Sequence, residues 1–400
     1  MIDNEHSLPR TQGRFSTIAT LASFVSLLSY AIVFTIVPAS INQISIEFSA
    51  SPASLAWFLR AIMAGFFLSV IAATRYADKH GNLRPLLFGC LAMAVGLITF
   101  AQAHNFYIAL AALFIAGLGG GATEGSSTAL LSELYHGSGR TAMLNWSQAL
   151  FGLGAILSPL TVAELLKLNL SWRIAFVGGG LLASFSLILA FVTLVSGKEF
   201  TQSRERSEPV QWITILRDPV ILPLGIAMML YVGAEGGPAS WLALFFKRDL
   251  TPDSALAASS LAFFWTGILL GRIAAAYVVR FISDVTLIRS ALFFSAVFQA
   301  LLLITHSVFF ALAVSFLLGF SLSPIWPTIA AITAASHPRQ SASILGVVIA
   351  FGSLGALIFP PLTGWFANIV GIRSALWISF ILLAINLWIF SANRRVKLQN

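Results

Sequence analysis

Hydrophobic residues run along the chain in twelve long blocks, at about 16–38, 54–76, 84–103, 107–133, 143–166, 173–196, 220–246, 255–279, 285–305, 308–335, 342–366 and 373–391. Short polar junctions separate them. A bilayer core about 30 Å thick is crossed by about 20 apolar residues in an α-helix, so each block predicts one transmembrane span. The one long polar junction, 197–219, carries Lys198, Glu199, Arg204, Glu205, Arg206, Glu208, Arg217 and Asp218. Charges of both signs in such a stretch predict a solvated linker.

The linker divides the pattern into two sets of six blocks, and the two sets resemble each other. Leu153-Gly-Ala-Ile-Leu-Ser-Pro159 recurs as Leu354-Gly-Ala-Leu-Ile-Phe-Pro360, an offset of 201 residues that also relates Tyr30 to Tyr231. Repeated halves are a common way of building membrane carriers. The expected organisation is a six-helix half at 1–196, a cytoplasmic linker at 197–219 and a second six-helix half at 220–400.

Composition removes the soluble alternatives. Hydrophobic residues make up 58% of the chain and charged residues 10%, with a mean hydropathy of +0.89, whereas about a quarter of a soluble domain is charged. The formal net charge of +8 does not form a basic domain able to hold a nucleic-acid backbone, because the basic residues fall in ones and threes between spans. They read as topology signals. With the N-terminus inside, 16 of the 23 Lys and Arg residues fall in cytoplasmic segments. Six fall outside and Arg272 lies within a helix. The positive-inside rule thus predicts both termini in the cytoplasm and an inner-membrane location. Residues 1–15 show no small-residue cleavage site, so the first span is expected to be retained. The lone Cys90 permits neither a disulfide nor a CxxC site. His6, His80, His104, His136, His306 and His337 fall at ends and junctions, which supports no metal site. No nucleophile triad, phosphate loop or HExxH motif occurs, and the chain is not expected to be an enzyme.

Charge inside the spans is the candidate chemistry. Glu124 follows Gly117-Leu-Gly-Gly-Gly-Ala-Thr, and a carboxylate at that depth costs a few kcal/mol unless it faces a cavity, a partner or a substrate path. The surrounding small residues let a neighbouring helix come close. In the next span Asn145 and Gln148 stand three apart and point the same way. Glu235 follows Tyr231 by one turn and precedes Gly236-Gly237-Pro238, a combination that predicts a broken seventh helix lining a cavity. Tyr30, Trp241, Trp265 and Trp326 are aromatic candidates for stacking against a solute, with Trp326 set between Pro324 and Pro327.

Asp78-Lys-His-Gly81-Asn-Leu-Arg84, after the second span, resembles the cytoplasmic loop motif of the major facilitator superfamily, although Thr74, Asn82 and Leu83 depart from it. More specifically, the chain resembles the fucose:proton symporter family of fucose and glucose/galactose permeases. The resemblance rests on GLGGGATE at 117–124, LNWSQALFGLGA at 144–155, Tyr231-Val-Gly-Ala-Glu235 with Trp241, Gly271-Arg272, and Ser323-Pro-Ile-Trp326-Pro-Thr328. It implies an all-α major facilitator fold with a cavity between the halves. It also implies a cytoplasmic charge network of Arg75, Asp78, Arg84 and Arg272 that gates access. Three positions depart from the family: Phe34 replaces its first-span acid, and Thr128 and Phe151 replace asparagines. Since 34 plus 201 is 235, Glu235 is read as the relocated acid.

The expected function is secondary active transport of a small polar solute, a monosaccharide or related polyol, by a monomer in the bilayer. No cofactor is expected. The coupling ion is expected to be a proton carried by Glu124 with Glu235 as its partner, the two repelling across one central site, with sodium as the alternative. Substrate contacts are assigned to Glu124, Glu235, Asn145, Gln148, Tyr30, Tyr231, Trp241, Trp265 and Trp326. Efflux of amphipathic compounds, or a receptor or scaffold role on the same fold, stays open.

Overall fold

The computed structural model describes residues 10–135, 137–196, 218–251, 253–279, 281–336 and 341–392. Among these, twelve helices are long and apolar enough to cross a membrane, at the places where the hydropathy pattern predicts them. The first six spans lie in α1 (Arg10–Ala39), α3 (Pro52–His80), α4 (Leu83–Gln102), α5 (Phe106–Leu134), α6 (Gly137–Lys167) and α7 (Arg173–Ser196). A short helix, α2 (Ile41–Glu47), follows the first span. In the second half, α8 (Ile221–Phe245) continues into a π-helical turn at Phe246–Leu250. After it come α9 (Ser254–Val278), α10 (Asp284–Ile304), α11 (Val308–Leu322), α12 (Ile325–Ser336), α13 (Ser341–Val370), α14 (Ile372–Ala375) and α15 (Trp377–Ala392). An even number of crossings leaves both chain ends on one side, here called the terminal face; the other is the far face. Nearly all of the linker at 197–219 lies outside the described residues.

The helices of each half pack mainly on one another, and the contacts repeat. A Cβ built on Gly65 would lie 2.3 Å from the Phe114 carbonyl oxygen, and one on Gly117 would lie 2.1 Å from that of Ile62. The same crossing recurs 202 residues later, where Gly267 meets the Phe316 carbonyl at 2.0 Å and Gly319 that of Phe264 at 2.1 Å. These helices touch backbone to backbone, which only glycine allows. The LGAxxxP repeat has the same explanation. A Cβ on Gly154 would stand 2.8 Å from the Leu28 carbonyl oxygen and one on Gly355 2.2 Å from that of Met229, so the motif seats α6 on α1 and α13 on α8.

Helix starts repeat as well. Ser51 accepts the Ser54 N–H at 3.3 Å and its counterpart Asp253 accepts the Ala255 N–H at 2.8 Å. Asn105 caps α5 by accepting the Tyr107 N–H at 2.8 Å, and Ser307 caps α11 by accepting the Phe310 N–H at 3.4 Å. Each supplies a side-chain acceptor to a helix donor that would otherwise lack one.

The seventh span corrects one expectation. It is not broken at its glycines: α8 runs unbroken through Pro238. Cβ atoms on Gly233, Gly236 and Gly237 would strike Phe359, Pro360 and the Ser379 hydroxyl, so these glycines admit α13 and α15 to close packing. Interruptions fall elsewhere, at Leu376 in the twelfth span and at Ser323-Pro324 in the tenth, between α11 and α12, where proline lacks the N–H that would continue the ladder.

Candidate functional site

The halves meet at mid-depth through aromatic rings. Tyr30 and Phe34 are one turn apart on α1; Tyr30 stacks on Phe66 of α3 with centroids 5.5 Å apart and packs against Phe151 of α6 at 5.5 Å. Trp265 of α9 closes the group from the other half, edge-on to Phe34 at 6.1 Å and to Phe151 at 6.2 Å. Trp265 is buried, and its indole N–H has no hydrogen-bond partner among the described residues.

Each half also carries one half-buried carboxylate well inside a span. Glu124, on α5, is half-buried, one turn from Gly120, against which the Tyr30 ring packs. The fit depends on Gly120, whose Cβ would fall 2.7 Å from the Tyr30 ring. Glu235, on α8, is also half-buried and stands one turn from Tyr231 on its own helix. Arg272 of α9 interacts electrostatically with both Glu235 and Tyr231. It stands seven residues from Trp265, two turns along the same helix face. The two acids therefore belong to separate clusters.

The remaining predicted residues divide. Gln148 is exposed one turn from Phe151 on the same face of α6, which aligns it with the ring group on the terminal-face side. Asn145 is one turn further along that helix, and its side chain lies outside the described residues. Trp326, 37% exposed at the start of α12, stands 202 residues from Glu124, at the matching place in the second half. Tyr231 is fully buried and reaches the site through Glu235. Trp241 is not a cavity residue: it is fully buried, donates its indole N–H to the Pro360 carbonyl at 2.8 Å and packs against Gly364. Among the gating residues, Arg84 is exposed at the terminal face, and the side chains of Arg75 and Asp78 lie outside the described residues. Asn82, one of the departures from the loop motif, is buried and donates to Glu133 at 2.8 Å, tying the α3–α4 turn to the end of α5.

Phe66 was not anticipated, and Phe34 and Phe151 were read only as lost polar contacts. Their spacing to Tyr30 and Gln148 was the available signal. A wholly apolar groove of about 390 Å³ between α10 and α15, lined by Phe293, Val297, Leu301 and Phe380 among others, lies on the outer surface of the bundle and holds no polar group suited to a solute.

Contacts between halves continue from the rings toward the far face: Gly152 meets Leu269, Gly364 meets Ala56, and Asn42 donates to the Ala243 carbonyl at 3.0 Å. Toward the terminal face, Cβ positions on Gly125 and Gly346 meet nothing within 4 Å. No close contact between the halves is thus made at these two glycines.

Known proteins agree with this architecture. The chain is 22% identical to "Protein TsgA homolog" of Erwinia tasmaniensis over 359 residues, 88% of this chain and 90% of that protein. It is also 22% identical to the Yersinia pestis homolog over 386 residues, 93% of this chain and 96% of the relative. Crystal structures of a bacterial homolog of the human lysosomal transporter Spinster, inward-facing and either occupied or unoccupied, superpose with TM-scores of 0.78 and 0.75 at 16% and 15% identity, each covering 98% of both chains. The Major Facilitator Superfamily model matches residues 19–288 and 224–400. The chain is therefore a multi-pass membrane transporter and belongs to the Major Facilitator Superfamily.

Proposed function

We propose that the chain is a secondary active transporter of the fucose:proton symporter type, carrying a small polar solute, a monosaccharide or related polyol, by proton-coupled alternating access. The observation that carries this reading is the group of rings shared by both halves, Tyr30, Phe34 and Phe151 with Trp265, together with the half-buried Glu124 one turn from the glycine against which Tyr30 packs. A carrier must offer its ionisable group to one face at a time, and a carboxylate beside a two-part junction satisfies that when the halves rock. Glu124 is the principal proton carrier, and Glu235 with Arg272 senses the solute. Gln148 and Asn145 supply amide contacts, the rings of Tyr30 and Trp265 supply a stacking surface, and Trp326 lines the opening. Arg75, Asp78 and Arg84 gate the terminal face. That face is cytoplasmic, since it gathers 16 of the 23 Lys and Arg residues, and the membrane is the inner one.

Export of amphipathic compounds is the second reading, favoured by Phe34, Phe66 and Phe151 standing around Tyr30. The experiment is an uptake and binding screen in proteoliposomes across sugars, polyols and lipophilic cations, with imposed proton or sodium gradients. Sugar accumulation driven by a proton gradient supports the first reading. Accumulation of lipophilic cations alone supports the second, and equilibration of substrate without either gradient rejects coupling.

A further inference from the structure

Asn42 is buried on α2, and its side-chain amide donates to the Ala243 carbonyl of α8. Among the described residues this is the one side-chain hydrogen bond that joins the two halves. Donor and acceptor are 201 residues apart, the same offset that relates Gly154 to Gly355 and Tyr30 to Tyr231. Equivalent or next-to-equivalent positions of the two repeats thus touch. Positions so related can touch only near the axis that relates the halves, so this bond lies close to the pseudo-twofold axis at the far face.

Both sides of the bond are rigidly mounted, and the mounts repeat. Glu47, at the end of α2, pairs with Arg173 and accepts from the Trp172 indole at 3.2 Å. Arg173 also donates to the Ala101 carbonyl at 2.6 Å and the Ala103 carbonyl at 2.7 Å, closing the end of α4. In the second half Asp249, at the end of the π-helical turn, lies 3.7 Å from Arg373. Arg373 donates to the Leu303 and Thr305 carbonyls at 2.9 and 2.8 Å, closing the end of α10. Each arginine ties the segment after the first span of its half to the third-span helix of that half. Neither crosses between halves, so neither opposes their rocking; both carry Asn42 and Ala243 as parts of rigid bodies.

We propose that Asn42 is the latch of the far-face gate: its bond to Ala243 holds the halves together while the cavity is open to the terminal face, and it must break before the far face opens. The arginine mounts make the latch discrete, because α2 cannot yield while its bond to α8 persists. Close to the axis the latch acts near the point about which the two far-face rims separate.

The test measures the far-face distance between spin labels at Leu168→Cys and His306→Cys, both exposed, on the full chain in nanodiscs in a Cys90→Ala background. The unsubstituted latch is expected to give mainly the short distance. Asn42→Ala, and Asn42→Asp, which keeps the shape but replaces the amide donor with an acceptor, should each raise the long-distance fraction about fivefold relative to the short, the factor expected for one net hydrogen bond. Glu47→Gln, which loosens one mount only, should raise it about twofold. Ser29→Ala, which removes the buried Ser29–Ser186 bond inside the first half, should leave the distribution unchanged. If Asn42→Ala does not fold, the isosteric Asn42→Asp decides. Distances in Asn42→Asp equal to wild type overturn the proposal, and so does a shift that Ser29→Ala reproduces.

Discussion

In the first half the carboxylate Glu124 lies on α5, one turn from the glycine against which Tyr30 of α1 packs; in the second half Glu235 lies a single turn from Tyr231 on the same helix, α8. Around these pairs the halves agree closely: the glycine crossings, the helix caps and the far-face arginines recur at offsets of 200 to 202 residues. At the site they do not. Phe34 stands where the second half has Glu235, and Glu124 stands near the place that Trp326 takes. The repeated positions share one physical role, close backbone approach or satisfaction of helix-end polar groups, and that role is the same in any copy of the unit. The unrepeated positions carry the charged and aromatic side chains proposed to meet a solute, a task that need not be the same in the two halves.

Four sets of substitutions can break or sharpen this comparison. The largest effect is expected for Glu124→Gln, which should leave a folded protein and reduce gradient-driven accumulation at least about tenfold, the factor that 1.4 kcal/mol supplies; Glu235→Gln should instead weaken substrate binding more than coupling. Accumulation by both mutants at the wild-type level, measured in proteoliposomes with an imposed proton gradient, would mean that the two pairs do not differ in role.

Arg272→Ala follows. It leaves the Glu235 carboxylate without its cationic neighbour, and thermal unfolding in detergent should show a loss of about 1–3 kcal/mol. The double mutant Arg272→Ala/Glu235→Gln should recover part of it, because no unpaired charge remains. A double mutant that loses the sum of both single effects would show that the two residues are not coupled.

Gly355→Ala and Gly154→Ala test the repeated scaffold. Both should destabilise by about 1–3 kcal/mol through overpacking, with Gly355→Ala the worse, since its Cβ would sit at 2.2 Å from carbonyl oxygen rather than 2.8 Å. Equal stability of the two variants would contradict the difference in packing. The smallest effect belongs to Trp241→Phe, which removes one hydrogen bond to Pro360 and should cost about 1 kcal/mol with substrate binding unchanged. A marked loss of binding at normal stability would return Trp241 to the site.

Hydropathy alone determined the number, order and approximate limits of the twelve spans, because helices must satisfy their own backbone in lipid and need a set length of apolar chain to do so. The LGAxxxP repeat likewise announced two halves. Carboxylates in apolar blocks could be recognised as candidates one by one, Glu124 and Glu235 among them, since their cost in a bilayer is a property of the residue and its neighbours in the chain. What each one touches could not be read that way. Whether Tyr30 faces Glu124 depends on how close α1 comes to α5, which Gly120 decides from another helix. Glycines near Glu235 looked like a break and prove to be a packing surface, because local flexibility and close interhelical contact use the same residue type. Trp241 and Trp265 are alike in sequence. One has its indole N–H occupied by Pro360 deep in the second half and the other lies against Phe34 and Phe151 of the first, a difference set by helix rotation and by partners more than a hundred residues away. Tertiary structure alone brought Asn42 to Ala243, since only the folding of two copies about one axis can set equivalent or next-to-equivalent positions against each other.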